Sequence, residues 1–306
     1  MDDAPDCHVA NGHDSLHAAH YADHAAFTPA VVLENEQLAR GTYRMRIDAA
    51  GIAERIVPGQ FVMVRVAGQV DPMLGRAFAM YDVVRDGSGA AVALDFVYLV
   101  HGKLTTALAA CQPGRTVELW GPLGNGFDPV ECDRRILVAG GIGYTPFLAA
   151  GKESLGAARY GAPARVGGAA AEVVMCYGVR TADLLAGEPA FRAAGLDLRI
   201  ASDDGSVGHH GLVTDLLNEA LDEARDDYAG KRVQVDCCGP EPMMEAVAKI
   251  CLDRGAPCRV SLETPMACGI GICFSCVAKV KQPAGDWDYK RTCVDGPVFD
   301  AAKIEW

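Results

Sequence analysis

Four of the chain's twelve cysteines lie between Cys268 and Cys293, in "CGIGICFSCVAKVKQPAGDWDYKRTC". Thiols at this density can hold metal, and their spacing narrows the kind. The pattern is C-x4-C-x2-C-x16-C. A zinc ribbon brings two C-x2-C knuckles. Here a single such pair, Cys273 and Cys276, is flanked by lone cysteines, Cys268 before it and Cys293 after it. Three ligands from one loop and a fourth from further along form the plant-type [2Fe–2S] pattern. Gly269 and Gly271 suit such a loop, because they permit positive φ and close backbone approach. A zinc site and four unconnected core thiols are the alternatives. The asymmetry of the spacing favours the cluster.

A second group of residues has the chemistry of nucleotide binding. In "AGGIGYTPF" (139–147), Gly141, Gly143 and Pro146 form G-x-G-x-x-P between an apolar strand and a helix. Glycines let a pyrophosphate approach the backbone, and a helix N-terminus offers free N–H groups. A plain tight strand–helix turn would read the same way. Support comes from "CCGPEPMM" (237–244), at the end of a later strand, where Gly239 and Pro240 turn the chain. Ligands of parallel sheets sit where such carboxyl ends converge. Cys238 would place a small polarizable side chain there and is the candidate catalytic residue; a buried thiol without a role is the alternative. In "ASDDGSVG", Asp203 and Asp204 point to NADH, since a 2′-phosphate calls for Arg or Lys. A solvated acidic turn is the other reading, and Arg180 keeps NADPH open.

Upstream, "GRAFAMYD" opens with Arg76, whose fork of donors suits a pyrophosphate. "VYLVHGKLTTAL" joins a strand to a short helix at Gly102–Thr106, where N–H groups and a threonine hydroxyl could hold phosphate. Singly, each is ordinary structure. Beside a nucleotide-binding sheet, they point together to FAD facing a nicotinamide.

These groups need elements to position them. Residues 29–120 carry short β-branched or aromatic runs, "TYRMRIDA", "QFVMVRVAG", "RAFAMYDVV" and "AVALDFVYLV", separated by Gly or Pro, which predicts a small β-barrel. A short helix is expected in "LTTALAAC" after Lys103, and "GPLGNGF" (121–127) reads as a linker. From Arg134 onward, the strands "RILVAG", "EVVMCYG", "LDLRIA" and "RVQVDCCG" alternate with helical stretches such as "LVTDLLNEALDEAR" and "EPMMEAVAKICLDRG". That order predicts a parallel sheet with helices on both faces. The expected architecture is multidomain α+β: an antiparallel β-barrel flavin domain, a doubly wound parallel α/β nucleotide domain and a small C-terminal [2Fe–2S] module. The expected boundaries are an extension at 1–27, the barrel at 28–128, the α/β domain at 129–257 and the cluster module at 258–306.

Composition excludes several functions. The formal net charge of −12 argues against nucleic acid, which needs a basic face. No apolar stretch reaches the length of a membrane span. The opening "MDDAPDCHVANGHDSLHAAHYADH" has no apolar run of the kind that directs export. With so many cysteines, a reducing cytoplasm is the expected setting. His13, His17, His20 and His24 would align on one helical face after Ser15 and could bind metal, but a solvated extension is the simpler reading.

From about Pro29 onward, the chain resembles the ferredoxin–NADP reductase superfamily, and within it the electron-transfer subunits of type B dihydroorotate dehydrogenase. The resemblance is most specific in "GPLGNGF", "CGPEPMM", "SLETPMACGIGICFSCVAK" and "CVDGPVF". It implies that Arg76, Ala77, Phe78 and Ala79 occupy the family's R-P-x-S flavin motif. A second flavin segment falls on Val97, Tyr98 and Leu99, and the G-x-G-T stretch on Gly102, Lys103, Leu104 and Thr105. The four cluster ligands fall on Cys268, Cys273, Cys276 and Cys293. Ala77 and Ala79 replace a Pro and a Ser, and Leu104 replaces a glycine.

The resemblance also implies a relay. A partner subunit oxidises dihydroorotate on its own FMN, and electrons pass through the [2Fe–2S] cluster to FAD and on to NAD. The expected assembly is a heterotetramer with two of each chain. A nicotinamide exchanges two electrons and a 2Fe cluster one, and a flavin can do both. Other readings are an NADH-dependent reductase subunit of a transhydrogenase, hydrogenase or oxygenase, and a redox sensor that uses its cluster for regulation.

Overall fold

A computed structural model describes residues 25–165, 168–227, 232–283 and 285–306. The four aligned histidines of the N-terminal extension lie outside the described residues.

Six strands close a barrel: β1 (Ala26–Ala39), β2 (Thr42–Ile47), β3 (Phe61–Val66), β4 (Arg76–Arg85), β5 (Ala91–Leu99) and β6 (Thr116–Leu123), in the order β1-β2-β5-β4-β3-β6. Every neighbouring pair is antiparallel. Side chains alternate across a strand, so Phe78 and Met80 of β4 enter the barrel while Ala77 and Ala79 face outward. Inside, Phe78 stacks on Phe96 at 5.0 Å, among Val32, Met45, Ile47, Val62 and Leu94. After the short helix α1 (Ala50–Ala53) in the β2–β3 connection, α2 (Lys103–Ala109) drives Leu104 and Leu108 into the same core. The segment expected as a linker begins later than its composition indicates. Gly121–Leu123 still belongs to β6, because Leu123 pairs with Phe61.

The second sheet has the order β10-β9-β8-β7-β11-β12-β15. Its strands are β7 (Cys132–Gly140), β8 (Ala170–Val179), β9 (Asp197–Ser202), β10 (His209–His210), β11 (Val233–Cys238), β12 (Cys258–Ser261) and β15 (Val298–Asp300). All run parallel except β15, which pairs antiparallel with β12. Strands covered on both faces read as continuous apolar runs, and the second half of β7, residues 136–140, is one. Its Leu137 and Ala139 pack under α3 (Phe147–Ser154) and α4 (Glu188–Ala193), while Ile136 and Val138 pack under α5 (Val213–Asp227) and α6 (Glu241–Arg254). The sheet is therefore doubly wound, as expected. The helix after β7 starts later than the sequence indicates: a 3-10 turn spans Gly141–Tyr144, and α3 opens only after Pro146.

Between β12 and β15 the chain leaves the sheet for the cysteine loop and a hairpin, β13 (Val277–Lys281) with β14 (Trp287–Arg291). The cysteine-rich segment is thus an excursion from the nucleotide sheet, and β12 and β15, both beyond residue 257, are strands of that sheet. Asn125, just after the barrel, fastens this return: its amide donates to the Val298 carbonyl at 2.8 Å and accepts the Val298 N–H at 3.1 Å. Beneath lies a fully buried Asp236, bonded by Arg135 and Arg259 at 2.7 Å each. Burial alone would push its carboxyl up, but the two guanidinium charges outweigh this and hold it low.

Candidate redox and nucleotide site

The cysteine loop folds around its own thiols. Gly269 and Gly271 take φ of +73° and +81°, the left-handed region that glycine enters without a Cβ clash. A Cβ on Gly269 would also come within 2.6 Å of Met63 Cγ, so the loop lies directly on the barrel. Trp120 of β6 donates its indole N–H to the Cys268 carbonyl at 2.8 Å. The Ile270 N–H reaches the Cys268 sulfur at 3.4 Å, and the Cys273 sulfur and Ser275 hydroxyl share a hydrogen bond at 3.2 Å.

Cys273 has Cys268 as a neighbour, and Cys276 has Cys293, which also feels Cys268. Two neighbouring pairs suit two irons with two thiolates each. The Ser275 hydroxyl draws the Cys273 thiol down to about 6, and the neighbouring Cys293 thiol draws Cys276 down, while Cys293 itself is pushed up by the same contact. Cys276 and Cys293 are buried among Phe61, Met63, Leu123, Met266 and Val294. Cys273 is exposed, between Ile272 (75% exposed) and Phe274 (61%). One edge of the loop therefore faces the barrel and the other faces outward.

The expected flavin residues divide by the pleat of the barrel. Arg76 is exposed; its Nη1 donates to the Gly75 carbonyl at 3.0 Å, and it has no ion-pair partner among the described residues. Ala77 packs against the apolar core around the cysteines, and Val97 packs on the side of the nucleotide sheet. Ala77, Ala79, Val97 and the half-exposed Leu99 share the outer face. Phe78 and Tyr98 point inward instead, Tyr98 donating its hydroxyl to Asn35 Oδ1 at 2.9 Å. Only their backbone is available to a ligand. Leu104 is a plug of the barrel core. The Thr105 hydroxyl accepts the His101 N–H at 2.9 Å and donates to the Gly102 carbonyl at 3.2 Å, so it already shapes this turn. A guanidinium without an ion-pair partner among the described residues, next to the outward-facing Ala77 and Ala79, fits a flavin dinucleotide.

At the nucleotide sheet the strand order reverses between β7 and β11, the point where such sheets bind ligands. The two carboxyl ends are pressed together. A Cβ on Gly140 would stand 2.5 Å from Met243 Sδ and 2.9 Å from Pro240 Cδ, and one on Gly143 would strike the Cys238 carbonyl. Gly141, at φ +53°, has nothing within 4 Å of its Cβ position and faces open space. Gly143 is thus spent on packing, and Gly141 leaves backbone free for a phosphate. Pro146 caps α3. Cys238 ends β11, half-buried near Ser261 and Glu263; burial pushes its thiol up to about 12, so it remains protonated at neutral pH.

Arg180 and the two aspartates meet at the carboxyl ends of β8 and β9, where the Asp204 N–H donates to the Arg180 carbonyl at 3.3 Å. Asp204 is committed to its turn, accepting from the Ser206 N–H at 3.0 Å and the Ser206 hydroxyl at 2.6 Å, bonds that lower its pKa. Asp203 has no side-chain partner among the described residues.

Sequence reasoning missed Trp120, Ser275, Thr292, whose hydroxyl donates to the Cys276 carbonyl at 3.1 Å, and Arg291, whose Nη1 donates to the Gly271 carbonyl at 3.0 Å. Ser275, inside C-x2-C, and the pair preceding Cys293 were visible by position. Trp120 carries no local signal, because its partner Cys268 is 148 residues away.

Comparison with known proteins agrees with this geometry. Residues 263–305 match the family model for the iron–sulfur cluster binding domain of dihydroorotate dehydrogenase B. The electron transfer subunit of dihydroorotate dehydrogenase B (NAD(+)) from Bacillus caldolyticus is 35% identical over 277 residues, covering 89% of this chain and 96% of that protein. The corresponding subunit from Desulforamulus reducens is 33% identical, covering 90% and 97%. Among solved structures, the NADH-dependent reduced ferredoxin–NADP oxidoreductase superposes with a TM-score of 0.73 at 25% identity, covering 90% of each chain.

Proposed function

The chain belongs to the family of the electron transfer subunits of NAD(+)-linked dihydroorotate dehydrogenase B, and we propose that it relays electrons between NAD and an FMN-containing subunit that oxidises dihydroorotate, in pyrimidine biosynthesis. Its cofactors are a [2Fe–2S] cluster, FAD and NAD(H). When bound, these groups supply one-electron transfer, a one-to-two-electron exchange and hydride transfer respectively. Cys268, Cys273, Cys276 and Cys293 hold the cluster. Arg76 holds the flavin pyrophosphate, with Ala77, Ala79, Val97 and Leu99 forming the face on which the ring system rests. Gly141 opens the backbone to the nicotinamide dinucleotide, Asp203 faces its ribose, and Cys238 presents a neutral thiol at the meeting point.

The observation that carries this reading is the placement of the cysteine loop. It touches the outer face of the barrel through Ala77 and Trp120 on one side, and it exposes Cys273, Ile272 and Phe274 on the other. A partner docked over that apolar edge exchanges electrons through the loop without reaching the nucleotide crevice. We assign the partner as the FMN subunit, in a heterotetramer with two of each chain, in the cytoplasm. No helix among the described residues is long and apolar enough to cross a membrane.

A second reading has support from the fold superposition: service as an NADH-linked reductase subunit of another flavin complex. Co-expression separates the two. The chain purified with its FMN-containing partner should reduce NAD+ with dihydroorotate, and each chain alone should not. A stable complex without that activity overturns the assignment.

A further inference from the structure

Behind the cysteine loop lies a buried cation that the relay does not use directly. Arg291, at the end of β14, is 7% exposed. Its Nη1 donates to the Gly271 carbonyl at 3.0 Å, and its guanidinium lies 5.0 Å from the centroid of the Phe274 ring. Asp295 steadies it, accepting the Arg291 N–H at 2.9 Å and standing 3.9 Å from Nε. Both contacts fall on the outer stretch of the loop, where Ile272, Cys273 and Phe274 are exposed. Phe274 is the one non-glycine residue with positive φ among those described, at +54°. That conformation costs about 1–2 kcal/mol without a compensating contact; here its ring rests on the guanidinium.

The carbonyl contact has a stereochemical consequence. The Gly271–Ile272 peptide is trans, so its N–H points opposite to its C=O. Holding the Gly271 carbonyl toward Arg291 turns the Ile272 N–H the other way, and charge-assisted bonding polarises the whole peptide unit. An amide of this loop already aims at sulfur, the Ile270 N–H at Cys268. Hydrogen bonds to cluster sulfurs, net charge and burial set the potential of an iron–sulfur centre. A fixed positive charge favours the more negative, reduced form.

We propose that Arg291 is a positioning residue for the iron–sulfur centre, which orients the 271–274 stretch and, through its buried charge, raises the reduction potential of the cluster. The test uses the full chain with cofactors bound, as wild type, Arg291→Gln and Arg291→Lys. Iron and sulfide content is measured first, then the paramagnetic signal of the reduced cluster is followed in a potentiometric titration. Arg291→Gln should retain about two irons and two sulfides. At the wild-type midpoint, its reduced-to-oxidised ratio should fall at least about tenfold, a shift of about 59 mV for one electron. Arg291→Lys, which keeps the charge, should titrate closer to wild type than Arg291→Gln does. A glutamine variant with the wild-type potential overturns the proposal. If Arg291→Gln holds no cluster, Arg291→Lys decides: a loaded cluster at the wild-type potential supports the role of the charge, and a clusterless lysine variant overturns it. A wild-type chain without iron and sulfide would refute the cofactor assignment on which the inference rests.

Discussion

Gly143 lies so close to the main-chain carbonyl of Cys238 that a β-carbon at position 143 would overlap that oxygen. The contact joins the ends of β7 and β11, the two strands between which the sheet order reverses. Such sheets take their ligands outside these carboxyl ends, and the contact sets how far apart the two turns stand there. Gly143→Ala forces backbone to move, since neither neighbour is a flexible side-chain tip. Overpacking of this kind costs about 1–3 kcal/mol. The variant should melt several degrees lower, and NADH affinity should fall about tenfold for each 1.4 kcal/mol of the distortion that reaches the site. Thermal melts and NADH titration check this; unchanged values for both would show that the turns are free to separate.

The Cys238 thiol gives a pH prediction. Burial pushes it, and the fully buried Cys176, from 9.0 to about 12. Raised folded pKa values mean that the unfolded chain releases these protons first. Their contribution to stability is therefore complete below pH 9, and it is lost as pH rises from 9 toward 12. NADH oxidation with a direct flavin acceptor should show no thiolate ionisation between about pH 6 and 9, and Cys238→Ser should keep the same profile. A basic limb near pH 8 that disappears in Cys238→Ser would mean that the thiol ionises in the working range.

Asp203, not Asp204, should govern the choice of nicotinamide cofactor, because Asp204 is held by Ser206. Like-charge repulsion between a carboxylate and a 2′-phosphate is worth roughly 1 kcal/mol or more when partly desolvated. NADH should be preferred about tenfold or better in kcat/KM, and Asp203→Asn should raise the value for NADPH by about fivefold to tenfold. Asp204→Asn should alter stability more than preference. Equal use of the two cofactors by the wild type would give the pocket to Arg180.

Local signals carried much of this. The cysteine spacing, the G-x-G turn and the alternation of apolar residues are properties of neighbours in sequence, and all three reappear in the structure. What escaped depends on contacts between distant segments. Glycines 140, 141 and 143 look alike in "GGIGY", yet only the approach of Cys238, Pro240 and Met243 separates those needed for packing from the one facing open space. Phe78 and Tyr98 sit within flavin motifs but belong to the barrel core, which strand parity alone could have shown. Asp236 with Arg135 and Arg259 places three charges in a sheet interior, where an apolar pattern has no means of announcing them. The cysteine segment was expected as a module of its own at 258–306 because it carries the clustered thiols; β15 reveals a return to the sheet through only three residues.

The last prediction separates the two halves of the relay. Cys273 lies at the outer edge of the loop, exposed, while Cys276 and Cys293 are buried against the barrel on the inner side. Oxidation of dihydroorotate by the complex must cross the loop to reach NAD. Oxidation of NADH by a small acceptor that meets the flavin directly need not. Cys273→Ala removes one thiolate of the Cys268/Cys273 pair and leaves the barrel core, built from β1–β6 and α2, untouched. Dihydroorotate-linked NAD+ reduction by the complex should then fall by at least about a hundredfold, close to 3 kcal/mol in transition-state terms, whereas NADH oxidation with ferricyanide should keep about half its rate or more. FAD content, read from visible absorbance, should be unchanged. A variant complex that still coupled dihydroorotate to NAD+ at the wild-type rate would place the electron route elsewhere, and a parallel loss of both activities with FAD retained would make the loop part of the NADH half-reaction as well.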